Sequence, residues 1–148
     1  MSLGDIFDIA GSGMSAQSVR LNTTASNIAN AETVSSSVDE TYKARKPVFA
    51  AIQDELMNGK RPPFAADDQS GKGVAVRGIV ESDAPLERRY EPEHPMADEN
   101  GYVFYPNVNV VEEMADMISA SRSFQMNVEV MNNAKTMMQR LLTLGQQS

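Results

Sequence analysis

Residues 107–145 read NVNVVEEMADMISASRSFQMNVEVMNNAKTMMQRLLTLG, and this stretch decides the fold. Val110, Met114, Met117, Ser121, Phe124, Val128, Met131, Lys135, Met138 and Leu142 recur alternately four and three apart. That rhythm keeps one stripe on one face of a helix. Pro106 ends whatever precedes it, and Gly145 supplies a stop. Asn109 followed by Glu112 has the spacing of a capping box, with Asn in place of the usual Ser or Thr. A helix from Val110 to Leu144 would be about 52 Å long at ~1.5 Å per residue. Such a length belongs to coiled coils and bundles rather than to ordinary globular helices.

A second helix is written at the other end. Leu3, Phe7, Ala10, Met14, Gln17, Leu21, Thr24 and Ile28 keep the same four-three spacing. Asp5 suits a first turn, and Asn30 suits a C-terminal cap. Gly11 and Gly13 each cost roughly 1 kcal/mol of helix propensity. They make sense where a neighbouring backbone comes close or the helix bends. From Gly11 to Ala31 the only charged residue is Arg20, and from Met117 to Ala134 only Arg122 and Glu129 are charged. Solvated helices display Lys and Glu, so something other than water is expected on these faces.

The middle reads as β-rich. YKARKPVFAAIQ is a candidate strand with Pro47 at an edge or bend. VAVRGIVE alternates, which places Val74, Val76 and Val80 on one face and Ala75, Arg77 and Ile79 on the other. DAPLERRYEPEHP is extended, and GYVFYP is a short strand that delivers the chain to the last helix. SSSVDETYKARK reads as a mobile polar connector, and MNGKRPPFAADDQSGKG as turns. The expected fold is therefore α+β: two long terminal helices packed as a coiled-coil-like pair, with a small β-rich region inserted between them. The boundaries read from the sequence are 1–31, 32–105 and 106–148. Stripes alone do not give the direction of helix packing. The last helix outruns the first by roughly 15 Å at the common rise, and its overhang still carries apolar residues. One chain of 148 residues cannot cover both helices on every side, so other subunits are expected to do so.

Chemistry is sparse. Net charge is −7, from 20 acidic and 13 basic side chains, which disfavours nonspecific nucleic-acid binding. Arg88, Arg89 and Tyr90 form the densest basic spot, but Glu87, Glu91 and Glu93 cancel its field. Cysteine is absent, which removes disulfide and thiol chemistry and leaves the compartment open. His94 is the only histidine and makes a poor metal site with mobile carboxylates around it. Asp67 and Asp68 have no recognisable partner base. GKGVAVRG lacks phosphate-loop spacing, and Ser12 and Ser15 sit in no nucleophile elbow. No catalytic, cofactor-binding or metal residues are expected, and no small-molecule substrate. MSLGDIFDIAGSG lacks a basic leader, so no cleaved secretory signal is expected, and no run of ~20 apolar residues would span a membrane. Ten methionines, six of them between Met114 and Met138, suit either the packing of a long coiled coil or an adaptable peptide groove. A soluble helical adaptor presenting that helix is the alternative to a structural subunit.

SGMSAQSVRLNTTASNIANAET, from Ser12 to Thr33, and the C-terminal stretch already quoted resemble the two terminal motifs of the flagellar basal-body rod protein family. The YVFYPNVNVVEEM run and the short middle point to a short rod member rather than to the longer rod and hook proteins. The family often has Tyr-Gln-Ala-Asn where this chain has Phe124, Gln125, Met126 and Asn127, a conservative departure. The resemblance implies a non-enzymatic structural subunit of the proximal rod in the periplasmic space, exported by the flagellar type III apparatus without a cleaved signal. It further implies helical assembly with copies of itself and other rod proteins, above the base of the export and membrane-ring assembly. The terminal helices would line the export channel and form part of the drive shaft. On this reading Leu21, Asn22, Asn27, Ile28 and Asn30 seat the first helix in the assembly, and Asn107, Asn109, Met114, Phe124, Val128 and Met138 set and pack the last. Asn27→Asp is then expected to weaken assembly more than folding, and both ends are expected to be mobile in a free subunit.

Overall fold

The computed structural model describes residues 3–52 and 72–146. The paired acids Asp67 and Asp68, and all but the last two residues of the turn-rich stretch around them, lie outside the described residues. The chain opens with α1, Leu3–Asn30, and closes with α2, Val110–Gln146. Between them run β1, Arg45–Ala51, β2, Val74–Glu81, β3, Glu87–Tyr90, and β4, Tyr102–Tyr105. The fold is α+β, as the two helical stripes and the short alternating runs require.

The helices are antiparallel. A Cβ on Gly13 would stand 2.9 Å from the Asn127 amide nitrogen, and Arg20 reaches the Asp116 carboxylate at 2.6 Å. Position therefore advances along α1 as it retreats along α2. At the common rise, the first turn of α1 reaches only the level of roughly residue 137. Ala134 is the last buried residue of α2, and everything from Lys135 to Gly145 is exposed. This overhang is the one that the difference in stripe lengths foretells.

The strands form two separate antiparallel pairs, β1 with β2 and β3 with β4. In the first pair Pro47 lies opposite Ile79, but beyond an irregularity after Val48 it is Val76, not Arg77, that faces Phe49. The extra residue moves the alternation by one. Val74, Val76 and Ile79 therefore share a face, and Val80 goes to the other with Ala75. That corrects the simple two-residue period expected from the sequence.

The first hairpin lies lengthwise on α1. At its far end, Ser12 Oγ donates to the Ile9 carbonyl (2.9 Å) and accepts the Val74 N–H (3.1 Å). Gly73 has φ +132°, and a side chain there would collide with Ser12 Oγ. The near end is tied at Asn27 to Arg45. Ser12 to Asn27 rises about 22 Å in a helix, and β1 extends about 20 Å, so helix and strand match in length. α1 is thus the middle layer, with α2 on one side and the hairpin on another.

The connector after α1 is pinned rather than loose. Ser35 exchanges two backbone hydrogen bonds with Phe104, at 3.1 and 3.0 Å, which adds a third segment beside β4. Thr41 is buried, and its hydroxyl donates to the Ser37 carbonyl at 2.7 Å. Backbone pairing with β4 explains what polar composition alone concealed. The buried apolar set among the described residues is Ala10, Ala16, Ala44, Val103, Ala120 and Ala134. A core of five alanines and a valine is small, and it leaves the large apolar side chains elsewhere.

Candidate assembly interface

Four asparagines of the terminal motifs are used inside the chain. Asn27 is 1% exposed. Its Oδ1 accepts the Arg45 N–H (2.9 Å) and the Tyr42 hydroxyl (2.8 Å), while its Nδ2 donates to the Arg45 carbonyl (2.8 Å). The side-chain amide thereby pairs with β1 as another peptide group would, which only Asn or Gln can do with one donor and one acceptor. Asn107 does similar work at the other junction. Its Oδ1 accepts the Ala44 N–H (2.8 Å), and its Nδ2 donates to the Ala84 carbonyl (2.7 Å). Asn109 caps α2, accepting the N–H groups of Val111 (3.1 Å) and Glu112 (3.4 Å). Asn30 closes α1: its Nδ2 donates to the Ser26 carbonyl (2.8 Å), and its own carbonyl accepts the Thr33 N–H (3.1 Å).

Of the expected capping box the Asn109 half forms, while Glu112 turns to another partner. The Glu112 carboxylate meets Lys46 Nζ at 3.1 Å, joining the hairpin to the start of α2. The hydrogen bond to Glu112 holds the Lys46 ammonium above its ordinary pKa; partial burial opposes this, and the charges of Glu112, Glu113 and Asp116 add to it. Both partners are more than half exposed, so the pair orients rather than stabilises. Arg20 and Asp116 form the more sheltered bridge between the helices.

The remaining residues expected at an interface divide sharply. Leu21, Ile28, Phe124 and Val128 are half-buried, and Asn22 is exposed. Met114 and Met138 were expected to pack α2, and both are exposed within the single chain. The covered face of α2 runs instead through Glu113, Ala120, Asn127 and Ala134, with Met117, Phe124 and Met131 beside them. Small and polar residues suit a close approach to the Gly13 backbone, and apolar periodicity does not single them out. The likeness of Gly13 to a close-approach residue was legible; Gly11 has open space where a side chain would be.

The exposed apolar residues are concentrated on one helix. Among the described residues, α2 exposes eleven large ones, from Val110 to Leu144, and α1 exposes none. Val111 and Ile118 lie on its outer side, Met126 and Met137 flank them, and Leu141, Leu142 and Leu144 occupy the overhang. Eleven exposed large apolar residues on one helix, interspersed with Arg122, Gln125, Glu129 and Lys135, suit a protein contact better than scattered surface positions do. Among the described residues no metal-holding cluster competes with that reading. The His94 ring nitrogen Nδ1 accepts the Met96 N–H (3.1 Å). Arg88 and Arg89 lie over the rings of Tyr102 and Tyr105, at 4.6 and 4.5 Å, in local cation–π contacts.

Known proteins match the sequence across both helices. Residues 7–34 match the family described as flagella basal body rod protein, and residues 99–144 match the flagellar basal body rod FlgEFG protein C-terminal family. The chain is 49% identical to the flagellar basal-body rod protein FlgC of Salmonella typhimurium over 146 residues, covering 99% of this chain and all of that protein. It is 48% identical to FlgC of Escherichia coli, again over 99% of this chain and all of the relative. FlgC of Borreliella burgdorferi is 36% identical, with 99% of each chain covered. The chain belongs to the flagellar basal-body rod protein family. It is a structural subunit of the flagellar basal-body rod, and not an enzyme. No described helix of the rod subunit is long and apolar enough to cross a membrane.

Proposed function

We propose that the rod subunit assembles helically, through the uncovered face and overhang of α2, with copies of itself and with other flagellar rod proteins. Heterologous contacts of this kind place each face against a different face and build a tube rather than a closed ring. The terminal helices then surround the export channel as part of the drive shaft, and the β-rich middle lies outside. The subunit belongs to the proximal rod in the periplasmic space, near the base of the export and membrane-ring assembly, and reaches it without a cleaved signal. Met114 and Met138, exposed on α2, serve as contact residues, whereas Leu21, Ile28, Phe124 and Val128 are already half-buried and act within the chain. Asn27, Asn30, Asn107 and Asn109 act earlier, by fixing the surfaces that make contact.

The supporting observation is the contrast between an alanine core and the exposed leucines of the overhang. Burying one leucine side chain is worth ~1.5–3 kcal/mol, so three of them are a strong association term. Leu141→Ser, Leu142→Ser and Leu144→Ser together are expected to abolish co-sedimentation with other rod proteins while leaving the urea midpoint of the free chain unchanged. A triple variant that still enters ordered tubes contradicts the reading. A finite, saturable complex in place of tubes favours the soluble adaptor.

A further inference from the structure

Four of the eleven large apolar residues that α2 exposes among the described residues are methionines: Met114, Met126, Met137 and Met138. Met126 and Met137 are 63% and 61% exposed, and Met114 is 53% exposed. Met117 and Met131, on the covered side of the same helix, are only half-exposed at most. The chain contains no cysteine, so methionine is its only oxidisable sulfur. Thioethers in water are open to peroxides, and the product is polar.

We propose that Met114, Met126 and Met137 form an oxidation-sensitive modification site that controls whether the free subunit can assemble. The co-reactant is a peroxide. The thioether sulfur gives two electrons, the O–O bond breaks, an S–O bond forms, and water leaves. The three side chains already stand in solvent, so their oxidation leaves α1, the hairpin and the α1–α2 contact intact. It does put a strong hydrogen-bond acceptor on the surface that a neighbouring subunit must pack against, and burying that acceptor without a donor is costly. Packed subunits shelter the same sulfurs, so the site is sensitive before assembly and protected after it. This inference rests on the reading that other subunits cover the open face of α2.

The test treats the full-length monomer with hydrogen peroxide and maps sulfoxides by mass spectrometry of peptides. Helicity is followed by circular dichroism, and assembly by co-sedimentation with rod proteins. Met114, Met126 and Met137 are expected to oxidise about fivefold or more faster than Met117 and Met131, with helicity unchanged. Sedimentation is expected to fall several-fold, to return on treatment with methionine sulfoxide reductase, and, in the M114L/M126L/M137L variant, to stay after peroxide at that variant's own untreated level. Equal oxidation rates on the two sides of α2, or unchanged sedimentation of the oxidised chain, overturns the inference and leaves the assembly reading standing. If untreated chain and leucine variant both fail to sediment, the assembly reading falls, and the inference falls with it.

Discussion

α1 and α2 are both long, both poor in charge at their centres, and both striped at helical spacing, yet the chain treats them differently. α1 is covered on two sides, by α2 and by the β1–β2 hairpin, and exposes no large apolar residue among those described. α2 is covered on one side only, and it outruns its cover. The same absence of charge therefore has two causes. On α1 it reflects neighbours within the chain, which need small side chains and amides that can mimic a strand. On α2 it leaves an apolar surface for neighbours outside the chain.

Asn27 gives the largest test of that difference. Asn27→Asp replaces a donor with a second acceptor facing the Arg45 carbonyl, at a position 1% exposed. We expect ~3 kcal/mol or more of destabilisation in urea unfolding of the free chain. This reverses the expectation from sequence, in which Asn27 served assembly more than folding. An unchanged midpoint would return Asn27 to the interface. Gly13→Ala comes next. Its methyl would meet the Asn127 amide at 2.9 Å, inside the tight antiparallel contact. The Asn127 side chain must shift to admit it, so the ~1 kcal/mol gain in propensity is expected to be offset and the variant to be no more stable than the parent. Gly11→Ala has no such offset: with open space around it, it should stabilise the free chain by ~1 kcal/mol. Denaturation of both variants side by side separates close packing from mere tolerance of glycine.

The smallest effect concerns Lys46. Its pKa is raised in the folded chain, mainly by the hydrogen bond to Glu112, so its contribution is present at lower pH and fades as pH rises through the folded value. Exposure limits it to ~0.2–1 kcal/mol. A double-mutant cycle of Lys46→Met and Glu112→Gln should show that coupling at pH 7 and lose it in strong alkali. Coupling that persists there would mean packing rather than charge.

The helices, most of their ends and the overhang were readable because the four-three spacing, Asn109 and Asn30 are local signals; Gly145 is not the stop it was expected to be, since α2 continues through it to Gln146. So were β2 and β4, from alternation and turn residues. The seam on α2 was not readable. Apolar residues lie on several sides of that helix, so periodicity had no single face to choose, and the true contact selects Ala120, Asn127 and Ala134 for size. The roles of Asn27 and Asn107 were equally hidden, because each bonds backbone that lies far away in sequence. Ser12 shows the same limit: its partner is Val74, 62 residues on. Composition can say that a face is shielded, but only tertiary structure says by what.

Amide hydrogen exchange, compared between the free subunit and the assembled rod, addresses the contrast between the two helices most directly. In the free chain, Ser18–Asn30 should be well protected, against the mobility expected of both ends from sequence, because Thr23, Thr24 and Asn27 are buried within the chain, and Lys135–Leu144 should exchange nearly as an isolated helix end does. On assembly, protection should rise by about a hundredfold or more in the overhang, in keeping with several kcal/mol of new burial, and change little in α1. An overhang that is already protected in the free chain, or one that stays unprotected in the rod, would contradict the account.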